Sequence, residues 1–204
     1  MQRWDDYVRA HPDGTPFHLY NWIKTIYESY NFEPYLYAVK NNQEAITSIL
    51  PLFVIKSIFT GRRIISLPFT DYCGPLCCNR EEEKGLIAKV EGTLGKQVTH
   101  IEIRSELTDD CNFVRDLFFK RHVLRLENNA SALFNKFDKK TIQYSIRKAL
   151  KADVEIREDN TPEGMKAFYE LNKMTRKKHG VPHQPWSFFE NILNKIIACY
   201  IPSV

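Results

Sequence analysis

The sequence predicts a mixed α/β protein with a mainly meandering sheet. Apolar residues recur at helical spacing over 18–30 and again over 81–94. Between them, short apolar or alternating runs are separated by turn residues, as in consecutive strands. With 204 residues, 43% of them hydrophobic, the chain has enough apolar material for a core. Helices and strands alternating in this way favour a mixed α/β domain.

Each element of the first half has a local signal. The helix at 18–30 has one apolar face, and Pro34 ends that region. Asn41-Asn42 and the Gly61 segment are turn signals that separate the next three strands. A loop rich in Pro and Gly then precedes the helix at 81–94. The predicted strands are 35–40, 45–57, 64–67, 100–105 and 118–127.

A second pattern begins at residue 128, which divides the chain into predicted domains 1–127 and 128–204. Ser131 is expected to cap a short helix. Thr161, followed by Pro162 and Glu163, marks a strong helix start, and Gly180 marks its end. The remaining predicted elements are a basic helix at 141–151 with Ile142, Ile146, Ala149 and Leu150 inward, a strand at 154–158, a helix opening at Pro185, and a strand beginning in 198–204.

Composition and charge exclude several classes. The net charge of +4, from 29 basic and 25 acidic residues, favours an anionic partner only weakly. The N-terminus lacks the apolar region of a secretory signal, and no apolar stretch is long enough to span a bilayer, so we expect a cytoplasmic protein. Five cysteines, an odd number, indicate reduced thiols. Cys73, Cys77 and Cys78 lack the Cys-x2-Cys spacing of most metal sites, and no metal is expected.

Four segments in order resemble the FemAB-like proteins of the GNAT acyltransferase superfamily, in particular the exopolysaccharide-associated (exosortase-system) branch. The resemblance covers nearly the whole chain. It implies two GNAT-like domains in tandem, with the acceptor held between them and the transfer carried by the second. The segments are GTPFHLYNW, LPLFVIKSIFTGRRIISLPFTDYCGPL, FDKKTIQYSIRKALKADVEI and FYELNKMTRKKHGVPHQPWSFFENI.

The resemblance implies an acyl- or aminoacyltransferase of cell-envelope or exopolysaccharide synthesis. Better-known relatives move an amino acid from aminoacyl-tRNA to a peptidoglycan precursor. The implied co-substrates are an acyl donor, acyl-CoA or aminoacyl-tRNA, and an anionic, phosphate-bearing acceptor. No covalently bound cofactor is implied.

The sequence also departs from these relatives. They are considerably longer, and here the second domain ends after its first strand and two helices, without a Gly-rich phosphate loop. Asp153 stands where relatives tend to have Gly. We therefore expect an incomplete second domain in a C-terminally truncated chain or fragment. The alternative is a non-catalytic binding module that keeps only the acceptor-side surface. The open edge of an incomplete sheet could also pair two copies as a homodimer.

Three groups of residues are candidate substrate contacts, and no catalytic residue is assigned. Lys140, Arg147 and Lys148 lie on the basic helix, where a cationic stripe suits a diphosphate. A solvated helix face explains them equally well. A nucleic-acid binder built on this helix is a weaker alternative, because the net charge is low and aromatic residues do not interleave with the basic ones.

The second group is Arg176, Lys177 and His179, at the connection between two predicted helices. They could hold an anionic acceptor, with His179 as a proton shuttle. Cations also suit a helix C-terminus for purely structural reasons. The third group is Asp71 and Tyr72, in the loop SLPFTDYCGPL, which either faces the acceptor or is a structural turn.

Overall fold

The computed structural model describes most of the chain and confirms a mixed α/β fold with a mixed sheet. Chain contacts divide it into two compact units, one of Met1–Asn112 with Asn160–Val204 and the other of Phe113–Asp159. The predicted boundary after residue 127 falls within the second unit, and the division into two GNAT-like domains stays a prediction. The described residues are 1–58, 61–108, 112–116, 120 and 122–200.

The first unit is built on a five-stranded sheet in the order β1-β2-β3-β5, with β4 paired to β2. Strands β1 to β3 form an antiparallel meander, and β5 lies parallel to β3. Apolar pairs such as Phe53 with Ile65 and Ile64 with Ile101 fix the register. Four of the predicted strands are thus confirmed with shifted ends. The strands are β1 Glu33–Lys40, β2 Ile46–Ser57, β3 Gly61–Ile65, β4 Leu76–Cys77 and β5 His100–Glu102.

Helices bury their apolar residues in the core of this unit. The first helix was not predicted; its Trp4 and Val8, four residues apart, are buried. Ile23 and Ile26 of the second helix lie in the same cluster as Phe53 of β2. The helix at 81–94 is confirmed, with its predicted apolar face buried. The helices are α1 Gln2–Ala10, α2 Tyr20–Tyr30 and α3 Arg80–Leu94.

The second unit differs from its prediction in several respects. The predicted strand at 154–158 is irregular backbone, and so are residues 120 and 122–127 of the strand predicted at 118–127. Residues 118, 119 and 121 lie outside the described residues. Both segments have strand-like composition, but a strand exists only where a partner completes its hydrogen bonds.

The helices of the second unit form, but the predicted N-cap of the first helix and the predicted inward face of the second are wrong. Helix α4 (Ala130–Lys136) is capped by the side chain of Asn129, which accepts from the backbone N–H of Ala132 at 3.0 Å; Ser131 is not the cap. A wide helical turn leads into α5 (Tyr144–Lys151). The apolar residues expected to face inward are exposed, apart from the half-buried Ala149: Ile142, Ile146 and Leu150.

The long helix α6 (Pro162–Lys178) follows its local signals closely. Oγ1 of Thr161 accepts from the backbone N–H of Gly164 at 3.1 Å, as predicted for an N-cap. Gly180 has a φ of +66°, the left-handed conformation that ends a helix. The next helix, α7 (Trp186–Ile192), continues through a wide turn into a short helix, α8 (Ala198–Tyr200). The strand predicted in 198–204 is therefore wrong at its start, and residues 201–204 lie outside the described residues.

In the part of the chain that the structure describes, no helix combines the length and apolar character needed to cross a bilayer.

His18 holds the turn before α2 against the loop after β3. Its Nδ1 accepts from the backbone N–H of Thr15 at 3.3 Å, so the proton is on Nε2, which donates to the carbonyl oxygen of Gly74 at 3.0 Å. The ring is fully buried, and burial lowers the pKa of His18 below its usual 6.5. Protonation of Nδ1 would also be unfavourable because its new N–H would face the backbone N–H of Thr15.

We predict that the free energy of unfolding falls as the pH drops below about 6.5. The unfolded chain binds a proton at His18 in that range and the folded chain does not, so the slope contributed is at most about 1.4 kcal/mol per pH unit. Urea unfolding between about pH 7.5 and 5 measures it. His18→Gln should remove this dependence, whereas His122→Gln, at an exposed position, should leave it unchanged. An identical pH dependence in His18→Gln would contradict the assignment.

Candidate functional site

Four aromatic side chains form a cluster at the C-terminal end of α2. The ring of Tyr30 lies 4.4 Å from that of Phe69, 5.3 Å from that of Phe32 and 5.6 Å from that of Phe188, measured between ring centroids. These four residues, which we call the aromatic cluster, bring together α2, the residue before β1, the loop after β3 and α7. Stacked rings offer a flat apolar face to a ligand.

Phe69 is held in an unusual backbone conformation. Its φ is +62°, in the left-handed region that bulky residues rarely adopt, and its side chain is 45% exposed. Neighbouring contacts fix the loop: Thr70 donates from Oγ1 to the carbonyl oxygen of Leu67 at 3.0 Å, and the carbonyl oxygen of Thr70 accepts from Arg104 at 2.5 Å. Such conformations cost about 1–3 kcal/mol each and concentrate at functional sites.

The hydroxyl oxygen of Tyr30 is shielded from solvent and has no hydrogen-bond partner among the described residues. Burial raises the pKa of Tyr30, and the positive charge of Arg176 opposes this effect. Arg176 therefore lies close enough to act on the phenol. The charge of Arg176 thus acts on a hydroxyl of the aromatic cluster to which no described residue is hydrogen-bonded.

Other shielded polar atoms lie on the same elements. Nε1 of Trp22 on α2 and Oδ1 of Asn172 on α6 lack partners within the described ranges, and so does Oε1 of Gln184, just before α7. Trp22 contacts the aromatic cluster directly, with its ring 6.4 Å from that of Phe188. Leaving a buried polar group unpaired costs about 1–3 kcal/mol. The Nε atoms of Arg62 and Arg63 on β3 are unpaired as well, so the unpaired atoms are not confined to the surroundings of the aromatic cluster.

The predicted residues at the end of α6 differ in exposure. Arg176 is half-buried, whereas Lys177 and His179 are exposed. The backbone N–H of His179 bonds to the carbonyl oxygens of Thr175 and Arg176, at 3.2 and 3.1 Å. Lys177 lines an open cleft of about 450 Å³. Of these three residues, Arg176 is the one whose charge acts on the pKa of Tyr30 in the aromatic cluster.

Asp71 and Tyr72 lie in the same loop as Phe69. Asp71 is exposed, two residues beyond the strained position. The hydroxyl of Tyr72 accepts from Oγ of Ser105 at 3.3 Å, which ties the loop to the segment after β5. The loop predicted as the third site therefore reaches the aromatic cluster through Phe69, and the roles of Asp71 and Tyr72 stay predictions.

The basic residues of α5 belong to the second unit. Arg147 donates to Oε1 of Gln143 at 3.1 Å, and its guanidinium lies 5.5 Å from the ring centroid of Phe134. Lys140 and Lys148 are exposed, and no ion pair joins either of them to an acidic residue of the described chain. This leaves two lysines available to an anion, with Arg147 partly occupied within its own unit.

Sequence reasoning missed the centre of the site. The helical pattern at 18–30 places Tyr30 on an apolar helix face, and the loop SLPFTDYCGPL contains Phe69 without any sign of a special role. No local pattern marks a hydroxyl as unpaired or a Phe as left-handed, because both depend on tertiary packing. His11 and His18 have structural hydrogen bonds to the carbonyl oxygens of Cys77 and Gly74.

Comparison with known proteins gives a similarity to a solved structure. The crystal structure of FemX matches with a TM-score of 0.61 at 21% sequence identity, over 97% of this chain and 53% of that of FemX. The fold is therefore similar to that of FemX, and the chain spans about half of the FemX length. No protein-family model and no curated protein matches the sequence.

We predict that Tyr30→Phe leaves the protein equally stable or stabilises it by about 1 kcal/mol, since it removes a buried hydroxyl that has no partner. Tyr7→Phe is the matched control, because the hydroxyl of Tyr7 donates to the carbonyl oxygen of Thr47 at 2.5 Å. That change should cost about 1 kcal/mol. Urea unfolding of both variants measures the difference. A loss in Tyr30→Phe equal to that in Tyr7→Phe would show that its hydroxyl is satisfied within the protein.

Proposed function

We propose that the protein is an acyl- or aminoacyltransferase of Fem type that acts on an amine of a phosphate-bearing cell-envelope precursor. The similarity to the FemX fold supports the reaction class. The acceptor would be a peptidoglycan or exopolysaccharide precursor, and the donor acyl-CoA or aminoacyl-tRNA. The single observation that carries the acceptor side is the shielded, unpaired hydroxyl of Tyr30, on which the charge of Arg176 acts.

This pair suits a phosphate group. The guanidinium of Arg176 supplies a positive charge and a planar set of N–H donors. The phenol of Tyr30 supplies an O–H donor for a second phosphate oxygen. Phe69 and Phe32 offer apolar faces to the sugar or base next to the phosphate.

The reaction places simple demands on the protein. The acceptor amine, as its free base, attacks the acyl carbonyl carbon; the C–N bond forms, the thiolate of CoA or the ribose oxygen of the tRNA leaves, and a proton passes from the amine to solvent or to the leaving group. Most of the acceleration then comes from holding the amine and the carbonyl together. In the second unit, Lys140 of the wide helical turn and Lys148 of α5 are proposed as phosphate contacts of their own.

A non-catalytic protein that binds the same precursors is the alternative. It would share the Arg176 and Tyr30 site and would release the acceptor unchanged. Binding and transfer must therefore be measured separately.

Isothermal titration with UDP-N-acetylmuramoyl-pentapeptide, a soluble phosphate-bearing precursor, tests the site. We expect Arg176→Gln to weaken binding about 10- to 100-fold, since a charge-assisted hydrogen bond is worth about 1.5–3 kcal/mol. Lys166→Gln removes an exposed cation from the same helix and should change the affinity less than about twofold.

Equal losses in Arg176→Gln and Lys166→Gln would indicate non-specific attraction and would contradict the site. Product formation, followed by mass spectrometry with acyl-CoA or aminoacyl-tRNA, separates the two functions. Binding that depends on Arg176 without any transfer would favour the binding module.

A further inference from the structure

Arg63 of β3 is a half-buried cation without a partner. Its Nε atom is shielded from solvent and unpaired, and its side chain forms no ion pair or hydrogen bond with any described residue. Arg62, the residue before it, also has an unpaired Nε, but its side chain interacts with the hydroxyl of Tyr35. Partial removal of a cation from water without an acceptor is unfavourable, so Arg63 is a candidate contact for an anionic ligand.

Strand register places Arg63 on the face of the sheet on which α2 packs. Arg63 is opposite Ile55 of β2, and two residues further along, Ile65 is opposite Phe53. Residues that are directly opposite each other, or two apart in one strand, lie on the same face of a sheet. Phe53 belongs to the buried cluster that contains the inward side chains of α2. Arg63 therefore shares its face of the sheet with this cluster.

Phe32 of the aromatic cluster lies on this face as well, two strands away from Arg63. Pro34 is opposite Phe53, so Phe32, two residues before Pro34, continues the row that runs through Ile55 to Arg63. Neighbouring strands are about 4.8 Å apart, which places the backbone of Arg63 about 10 Å from that of Phe32. Since an arginine side chain is long, a single ligand can contact both residues.

The positive charge of Arg63 is not compensated by the elements around it. Two acidic residues lie in the five strands and one in α2, and each of them already has a cationic partner. His100, which is opposite Arg63 on β5, adds no negative charge. The three ion pairs are Glu33 with Lys56 at 3.7 Å, Glu102 with Arg104 at 2.7 Å, and Glu28 with Lys195 at 2.7 Å.

We infer that Arg63 is a second phosphate-binding residue at the aromatic cluster, contributed by the sheet, whereas Arg176 is contributed by α6. The inference rests on the proposed function for the identity of the ligand. The rings of Tyr30 and Phe32 stack on each other, so the two arginines belong to the surroundings of one stacked pair. A guanidinium holds phosphate oxygens through two parallel hydrogen bonds, and a phosphate group also offsets the repulsion between two cations.

Isothermal titration with UDP-N-acetylmuramoyl-pentapeptide and with inorganic diphosphate tests the inference. Arg63→Gln should weaken the binding of both ligands about 10- to 100-fold, because it removes a charge-assisted contact. Arg62→Gln is the matched control, since it removes the same charge from the neighbouring position on the opposite face of β3. It should change either affinity less than about twofold.

Two further measurements separate a role in binding from a role in folding. Arg63→Lys keeps the charge but lacks the planar set of donors, and it should restore part of the affinity lost in Arg63→Gln. In urea unfolding, Arg63→Gln should leave the midpoint unchanged or raise it, because the variant removes a half-buried cation that has no partner. A lower midpoint with unchanged affinity would assign Arg63 a structural role and overturn the inference.

The outcomes distinguish this inference from the proposed function. Precursor binding that depends on Arg176 but is unaffected by Arg63→Gln would overturn the inference and leave the proposed function intact. Inorganic diphosphate that binds through Arg63, with no binding of the precursor, would support the inference and contradict the proposed acceptor. Equal losses in Arg63→Gln and Arg62→Gln, or no binding of either ligand, would overturn the inference.

Discussion

Burial of α2 on both of its sides is the constraint on which the first unit depends. Ile23 and Ile26 pack with Phe53 of the sheet, and together such side chains contribute several kcal/mol of hydrophobic stabilisation. The other side of α2 meets α7, where Trp22 and Tyr30 contact Phe188. Polar contacts also join α2 to the segment that follows α7. Asn21 donates to the carbonyl oxygen of Lys195 at 3.1 Å, and Lys195 forms an ion pair with Glu28 at 2.7 Å. Segments far apart in sequence thus pack on the same helix.

The position of the aromatic cluster follows from the way α2 ends. Asn31 has a φ of +54°, a left-handed conformation that Asn tolerates better than most residues. The chain therefore turns sharply between Tyr30 and Phe32, which lets the two rings stack with an interplanar angle of 16°. The phenol of Tyr30 is fixed at the helix end, where it cannot rotate toward solvent without breaking its contacts with Phe69 and Phe188. Its unpaired hydroxyl is thus a consequence of how the helix is anchored.

The elements that the sequence predicted well are those whose signals are local. Thr161 and Gly180 delimit α6 because a cap and a left-handed stop act within a few residues of themselves. The strand expected at 154–158 failed because a strand needs a partner, which no local pattern guarantees. α1 was missed because Trp4 and Val8 are its only buried residues, too few to give a visible period. Of the site, Arg176 was predicted from charge alone, whereas Tyr30 and Phe69 became candidates only through packing.

The site is assembled from groups that oppose folding. A left-handed Phe69 and an unpaired Tyr30 hydroxyl each cost on the order of 1–3 kcal/mol, a sizeable share of the stability of an ordinary domain. A purely structural loop would be more stable with Gly or Asn at position 69 and Phe at position 30. Packing around α2 offsets these costs. Phe188 contacts the rings of Tyr30, Phe69 and Trp22 and so holds the left-handed Phe69 and the unpaired Tyr30 in place. A preorganised binding site requires unsatisfied groups that are already held rigidly, because a ligand then supplies the missing contacts without the entropic cost of ordering the protein.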